Sequence, residues 1–356
     1  MPSTAIKAQS FNVGLIGYGV AGAFFHAPLI ASTPGLHLTH IVTSSPERSR
    51  SALGEYPQAT VVPDAQTLWQ HAHELDFVVI ATPNSTHVPL ARAALNAGLH
   101  VVVDKPFAPS PDEARALIAH ANSCGRRLTV FQNRRWDNDF LTLRSLLEQD
   151  ALGKVHRFES RFERWRPEAK AGWKRSGARE DAGGILFDLG SHLIDQALQL
   201  FGPVGQVYAE LDRRYSDSEV DDDSFVALTH TSGIRSHLWM SSVAAQLGPR
   251  LRVLGDRGAY VKYGLDPQED ALRRGERPGL TNWGGEDASR HGWLGTDADR
   301  RRIASLPGDY PQFYIQLADA LRRDGPMPVD PQDAVAVLEI IQAAQHSQAQ
   351  GGSVPI

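Results

Sequence analysis

Three short segments of the 356-residue chain carry side chains suited to moving a proton to or from a hydroxyl group. In DAGGILFDLGSHLID (181–195), Asp188 and His192 are four residues apart, so a helix sets both on one face. In that arrangement a carboxylate orients and supports an imidazole acting as general base or acid. Gly183 and Gly184 just ahead of them let a backbone approach a ligand closely. Taken alone, the pattern also describes a helix with ordinary polar capping and a surface histidine. In Val103-Asp104-Lys105-Pro106 a lysine ends an apolar run, where its ammonium can donate to a hydroxyl and stabilise developing alkoxide charge. A solvated turn is the alternative reading. The third segment, QNRRWD (132–137), either lines a cleft or stitches two parts of the chain together. Trp165, Trp173 and Lys174, in the polar stretch before the glycine pair, are further candidates for the same cleft.

A fourth segment is built for an anion. Gly17-Tyr18-Gly19-Val20-Ala21-Gly22 is a G-x-G-x-x-G turn between a strand-like run and a helical stretch. Gly17 permits the tight turn, Gly19 admits a pyrophosphate to the backbone, and Gly22 lets the helix pack closely. The helix N-terminus then offers free N–H groups to the phosphates. A glycine-rich turn without a ligand is the alternative, but five further strands in the right rhythm favour a dinucleotide site. NAD-selective folds usually place an acidic residue about 20 positions onward, on the ribose hydroxyl. Here the strand end reads Thr43-Ser44-Ser45-Pro46-Glu47-Arg48, with no carboxylate at that point. The hydroxyls of Ser44 and Ser45 and the guanidinium of Arg48 suit a 2′-phosphate, which favours NADP over NAD. The alternative is a helix cap followed by a solvated arginine.

These residues sit in a regular alternation of strands and helices. Strands are predicted over 11–17, 36–42, 59–62, 76–82, 100–105 and 127–132, and helices over 20–31, 46–54, 64–73, 86–97 and 110–123. Several strands are apolar and β-branched on consecutive positions, as in a parallel sheet covered on both faces. Ser110 before Pro111 marks a helix start, and Gly98 and Gly125 follow helix ends. Residues 1–133 are therefore expected to form an α/β dinucleotide-binding domain, a Rossmann-type doubly wound parallel sheet. Beyond them the rhythm changes. A helix over 138–149, an alternating run over 155–165 and a helix over 185–201 precede strand-like segments at 204–212, 224–231, 234–243, 250–255 and 259–263. Their spacing suits an antiparallel meander. Helices return at 310–323 and 332–347, while 265–305, rich in Gly, Arg and Asp, reads as a long loop. Residues 134–356 are thus expected to form a C-terminal α+β domain with an open, largely antiparallel sheet, carrying catalysis, substrate binding and oligomerisation. A chain of this length exceeds the size at which single cores stop growing.

Composition narrows the partners. A formal net charge of −5 leaves no basic footprint for nucleic acid. Cys124 is the only cysteine, which rules out an internal disulfide. No apolar run approaches a membrane span and the N-terminus is short and polar, so the cytoplasm is the expected compartment. Asn84-Ser85-Thr86 matches a glycosylation sequon, which carries no weight without a secretion signal. The fourteen histidines include no H-E-x-x-H, and His71 and His73 are two apart on a predicted helix, so no metal is expected. His26 reads either as a satisfied core histidine or as a cleft residue. No G-x-S-x-G elbow is present.

The chain resembles the Gfo/Idh/MocA oxidoreductase family over essentially its whole length. The resemblance rests on GLIGYGVAG (14–22), ATPNSTH (81–87), VDKP (103–106), NRRWD (133–137) and DLGSHLID (188–195), in the family's order and spacing. FHAPLI (25–30) and YVKYGLDPQE (260–269) are similar to the branch of NADP-dependent scyllo-inositol dehydrogenases. The resemblance implies a Rossmann domain, a second domain with an open sheet, and an active site between them. Lys105 matches the lysine of the family's E-K-P motif, with Asp104 in place of the commoner Glu. Asp188 and His192 match its D-x-x-x-H motif. On that mapping His192 accepts a substrate hydroxyl proton as hydride passes to nicotinamide, Lys105 polarises the reacting oxygen, and Asp188 orients His192 or binds an adjacent hydroxyl. Thr82, Pro83, Asn84 and His87 match the family's loop beside the cofactor, and Asp104, Lys105 and Asn133 complete that set. The implied substrate is a cyclic polyol or sugar, best scyllo-inositol. An aldose or other carbonyl substrate, or a non-catalytic NADP-binding sensor on the same fold, are the alternatives. Subunit pairing through the open sheet, giving at least a dimer, is also implied.

Overall fold

The computed structural model describes residues 10–168, 177–279 and 281–356, so Trp173 and Lys174 lie outside the described residues. The first sheet comprises β1 (Phe11–Ile16), β2 (Leu36–Val42), β3 (Thr60–Val62), β4 (Phe77–Ile80), β5 (His100–Asp104) and β6 (Leu128–Phe131). They lie in the order β3-β2-β1-β4-β5-β6, every pair parallel. The chain winds outward from β1 to β3 and then returns to β1's other edge at β4. That reversal opens a crevice beyond the strand ends between β1 and β4. The connecting helices are α1 (Ala27–Ser32), α2 (Pro46–Glu55), α3 (Ala65–Gln70), α4 (His87–Asn96) and α5 (Pro111–Ser123). Side-chain oxygens cap three of them: Ser45 on α2, Asp64 on α3 and Ser110 on α5. The helix expected from residue 20 instead opens with a π-helical turn, Ala21–His26, before α1.

The second half begins with α6 (Asn138–Glu148), β7 (Val155–Glu163) and α7 (Ser191–Phe201). The strands β8 (Val204–Asp212), β9 (Asp223–His230), β10 (Arg235–Ser241), β11 (Leu251–Gly255) and β12 (Ala259–Lys262) follow. Next come α8 (Gln268–Arg273), β13 (Gly292–Gly295), β14 (Arg300–Ile303), α9 (Pro311–Arg323), α10 (Pro331–Gln350) and β15 (Val354–Pro355). The nine strands run β14-β13-β12-β11-β7-β10-β9-β8-β15, and β7 with β10 is the parallel pair in an otherwise antiparallel sheet.

Two expectations are corrected here. The five strands from 204 to 263 do not form one meander, because β7 inserts between β10 and β11. Spacing along the chain reports which strands are near in sequence, and β7 arrives from outside that run. Nor is 265–305 a long loop, since it holds α8, β13 and β14. Its arginines hid the hairpin: Arg300 and Arg302 sit on the sheet's edge strand with their guanidinium groups 5.1 and 4.5 Å from the Trp293 ring centre. Charge on an edge strand blocks pairing with another chain.

The two sheets are joined by side chains from the last two long helices. α10 packs on β8 and α7 of one half and on α5 and β6 of the other. Thr129 Oγ1 donates to Val329 O at 2.7 Å between the halves. Arg135 donates to both carboxylate oxygens of Asp195 at 2.9 and 2.6 Å, and to Asp333 at 2.9 Å. Phe313 of α9 meets Phe131 edge-on at 4.9 Å and Trp136 at 5.9 Å between ring centres. The opposite face of the second sheet is only half-covered and carries Phe225, His237 and Trp239 in mutual ring contact. Among the described residues, no helix is long and apolar enough to cross a membrane.

Phe313 is fully buried at this joint. Phe313→Ala is expected to lower unfolding stability by about 3–5 kcal/mol while leaving secondary structure intact. Denaturant titration followed by circular dichroism checks this, and an unchanged midpoint would contradict the assigned packing.

Candidate active site

The crevice beyond β1 and β4 is a cavity of about 630 Å³. At one end lies the glycine turn. Gly17 has φ +100°, and a Cβ there would stand 2.4 Å from Ala81 O, so only glycine lets the turn pass the end of β4. A Cβ at Gly22 would fall 2.0 Å from Gly17 O, which makes Gly22 the close contact between helix start and turn. Gly19 differs: within 4 Å a Cβ there would meet only Arg48 Nη1, at 3.8 Å. Its open side faces the cavity, as close approach by a pyrophosphate demands. The residues present therefore fit a dinucleotide.

Gly17, Tyr18, Gly19, Val20, Ala21, Ser44, Arg48, Thr82, Pro83, Asn84, Asp104, Lys105, Asn133, Asp188 and His192 all line this one cavity. Three other residues expected at the cofactor do not, and each has a structural task. Gly22 makes the backbone contact just described. Ser45 spends its hydroxyl accepting from Arg48 N at 3.3 Å, capping α2. His87 is buried between two carbonyl oxygens, Pro106 O at 2.9 Å and Thr82 O at 3.0 Å. Burial lowers its pKa, so the neutral ring donates to one carbonyl at a time and holds the loops after β4 and β5 together. Asn84 lines the cavity and also donates to Asp181 O at 2.9 Å, tying its loop to the approach to α7.

At the other end, Lys105 leaves the tip of β5 and reaches across to the turn that opens α7. Its Nζ donates to Asp188 O at 2.7 Å and to Asp188 Oδ1 at 3.0 Å. Asp188 belongs to a π-helical turn, Leu186–Gly190, so the simple four-residue helical register assumed for Asp188 and His192 is interrupted. Both side chains still line the cavity, but no hydrogen bond links them among the described residues. Asp221 holds this turn, accepting from Leu186 N at 2.8 Å, and a Cβ on Gly184 would strike its Oδ1 at 2.1 Å.

His192 is buried, and its Nδ1 is sealed without a hydrogen-bond partner. Burial, then the charges of Lys105 and Arg134, push its pKa well below the ordinary value. Asp188 opposes this shift without reversing it. The imidazole is therefore neutral at physiological pH and ready to accept a proton. Asp104 accepts from Lys105 N at 2.8 Å, fixing the backbone that presents the lysine. Burial raises the Asp104 pKa, but His26, Lys105 and His87 outweigh it and hold the carboxyl below its usual value. His26 is thereby placed in the core, 3.9 Å from Asp104 Oδ2 with Nδ1 2.6 Å from the Tyr314 hydroxyl.

The QNRRWD segment does both things expected of it. Asn133 and Arg134 line the cavity, while Arg135, Trp136 and Asp137 stitch the halves together. Trp165 is exposed and lies outside the lining. Sequence reasoning missed Phe162, Arg164, Glu269 and Arg273. A signal existed for two of them: Phe158, Ser160, Phe162 and Arg164 continue one alternating phase of β7, whose buried members are Phe158, Ser160 and Phe162. Away from the cavity, His40, His71 and Glu74 bring one donor atom each within 4.8 Å of one another. Motif spacing alone does not show that grouping, because His40 comes from β2.

Residues 11–132 match the family model "Oxidoreductase family, NAD-binding Rossmann fold", and 144–356 match "Oxidoreductase family, C-terminal alpha/beta domain". The chain belongs to the Gfo/Idh/MocA oxidoreductase family. It is 44% identical to the oxidoreductase YdgJ of Escherichia coli K12, over 94% of this chain and 95% of that one. It is 33% identical to scyllo-inositol 2-dehydrogenase (NADP(+)) IolW of Bacillus subtilis 168, over 96% and 94%. The solved oxidoreductase YPO2259 of Yersinia pestis superposes with a TM-score of 0.90 at 42% identity, covering 98% of each chain. This Gfo/Idh/MocA protein is accordingly an oxidoreductase using a nicotinamide cofactor.

Because a Cβ on Gly17 would collide with backbone, Gly17→Ala is expected to weaken nicotinamide nucleotide binding by roughly tenfold or more, about 1.4 kcal/mol. Fluorescence titration with reduced nucleotide measures this. Wild-type affinity in a folded variant would remove the turn from the cofactor site.

Proposed function

We propose that this oxidoreductase is an NADP-dependent dehydrogenase acting on a secondary hydroxyl of a cyclic polyol or sugar, with scyllo-inositol the first compound to test. The carrying observation is the meeting of Lys105, Asp188 and His192 at one end of a cavity whose other end holds the glycine turn and Arg48. The similarity to IolW, a scyllo-inositol 2-dehydrogenase (NADP(+)), supports both the cofactor and the substrate class.

The cofactor, when bound, supplies the hydride acceptor. Everything else falls to the chain's own residues. Lys105, held by Asp188, donates to the reacting oxygen and stabilises negative charge as the hydroxyl proton leaves. With His192 Nδ1 sealed, Nε2 is the ring nitrogen left to receive that proton. The apolar walls Phe25, Phe131 and Phe162 exclude water from the reacting carbon. Arg48 leans over the glycine turn, where a 2′-phosphate would meet its guanidinium. Ser44 lines the same end of the cavity and Ser45 caps the helix that carries Arg48. Pairing of subunits over the half-covered face of the second sheet belongs to the same reading.

Arg48→Ala is expected to raise the KM for NADP about tenfold or more relative to its effect on NAD. Steady-state kinetics with both nucleotides decides it, and equal losses would point away from the 2′-phosphate. The pH dependence has a definite sign. Because burial and Lys105 disfavour the imidazolium, the base form of His192 persists below pH 6.5, and alcohol oxidation is lost only as pH falls through the lowered pKa. In Lys105→Met one opposing charge is gone, so the His192 ring should titrate at higher pH by NMR. A downward shift would contradict the assigned proximity.

A further inference from the structure

Among the described residues, five cations line the cavity, Arg48, Lys105, Arg134, Arg164 and Arg273, against three carboxylates, Asp104, Asp188 and Glu269. The carboxylates are already engaged. Asp104 is turned to the backbone of Lys105 and towards His26, and Asp188 takes Lys105. Glu269 takes Arg134 at 2.8 Å and Arg273 at 3.0 Å, and Arg134 also meets Asp137 at 3.2 Å. Two guanidinium groups remain. Arg48 stands by the glycine turn. Arg164 stands at the other end, just beyond β7, in the electrostatic neighbourhood of Asp188, Glu269 and Arg134. Its side chain has no ion pair or hydrogen bond among the described residues.

Arg164 is also placed with care. Its guanidinium lies 4.8 Å from the Phe162 ring centre, and Arg134 lies 4.5 Å from the same centre. Stacking on an aromatic face leaves a guanidinium's in-plane N–H groups free for a ligand. Burial, with Arg166 and Arg134 as like charges, lowers its pKa, so a charged group is kept here against a cost that a bound anion would offset.

We propose that Arg164 receives an anionic group of the substrate, so that the substrate is a polyhydroxylated ring or chain bearing a carboxylate or a phosphate ester. The reacting hydroxyl then lies at Lys105 and His192 while the acid group is forked by Arg164. This rests on the dehydrogenase reading above and narrows its substrate class. A carboxylate matches the planar fork bidentately, and a phosphate ester offers the same oxygen geometry with more charge.

The test follows NADP reduction with three sets of compounds: neutral inositols and aldoses, the corresponding aldonates and uronates, and sugar or inositol monophosphates. Wild type should favour an acid over its neutral counterpart by about tenfold or more in kcat/KM. Arg164→Gln should lose roughly thirtyfold or more on the acid, at least ten times the loss on the neutral compound, mainly in KM. Arg164→Lys should recover part of it. Preference for aldonates or for phosphates identifies the anion. Equal use of neutral and acidic compounds, with equal losses in Arg164→Gln, would overturn the proposal while leaving the dehydrogenase reading intact. If nothing is oxidised, calorimetry with the NADPH complex still decides: acid binding that depends on Arg164 supports the anion site, and binding indifferent to Arg164→Gln removes it.

Discussion

The ammonium of Lys105 and the carboxylate of Asp188 meet across the boundary between two separately formed layers. One rides on the tip of a parallel strand and the other on the first turn of a helix packed against the second sheet. A pair at 3.0 Å, part-buried on both sides, repays its desolvation only if geometry is held tightly. The relative placement of the sheets is therefore held by contacts elsewhere. Those contacts are the Arg135–Asp195–Asp333 cluster and the stack of Phe131, Phe313 and Trp136, drawn from β6, the segment linking the halves, α7, α9 and α10. The C-terminal helices thus serve the active site although neither contributes to the cavity's lining.

The same pair sets the chemistry of its neighbour. His192 lies close enough to Lys105 and Arg134 that burial and positive charge act together against its protonation. A direct bond from the Asp188 carboxylate would have raised the His192 pKa further and made the ring a stronger base that is protonated at higher pH. With Asp188 bonded to Lys105, burial and the neighbouring cations keep His192 neutral, the form that can accept a proton. The π-helical turn at Leu186–Gly190 accompanies that arrangement of Asp188 and His192. It interrupts the simple helical register between the two residues, and both still line the cavity.

What the sequence discloses follows from how local each cause is. The parallel sheet, the glycine turn and the candidate catalytic residues are readable because strand periodicity, turn chemistry and motif spacing act within a few residues. The cap on α2 is local too, yet the sequence offered Ser44 as the capping alternative, whereas the structure gives the cap to Ser45 and leaves Ser44 lining the cavity. The π-turns are invisible to a reading that assumes a 3.6-residue repeat. The insertion of β7 beside β10 is a tertiary fact, as is the gathering of His40 with His71 and Glu74. His87 illustrates a different failure. It lies in a loop that otherwise lines the cavity, and its burial between Thr82 O and Pro106 O depends on how two loops pack.

The cavity divides along the same line between local and tertiary causes. Its cofactor end and Lys105 come from the ends of strands in one sheet and the turns directly after them, and such features leave compact motifs. Phe162, Arg164, Glu269 and Arg273, which line the rest of the cavity, come from the end of β7, just beyond it, and from α8, and only the fold brings them together. A substitution among them leaves the Lys105–Asp188 contact in place, because none of the four bonds to either residue among the described residues. Substrate preference can thus change at these positions while Lys105, Asp188 and His192 stay in place at the boundary between the two layers. Arg164, without an ion pair among the described residues, belongs to this tertiary part of the cavity, which is where a substrate's acid group would be read.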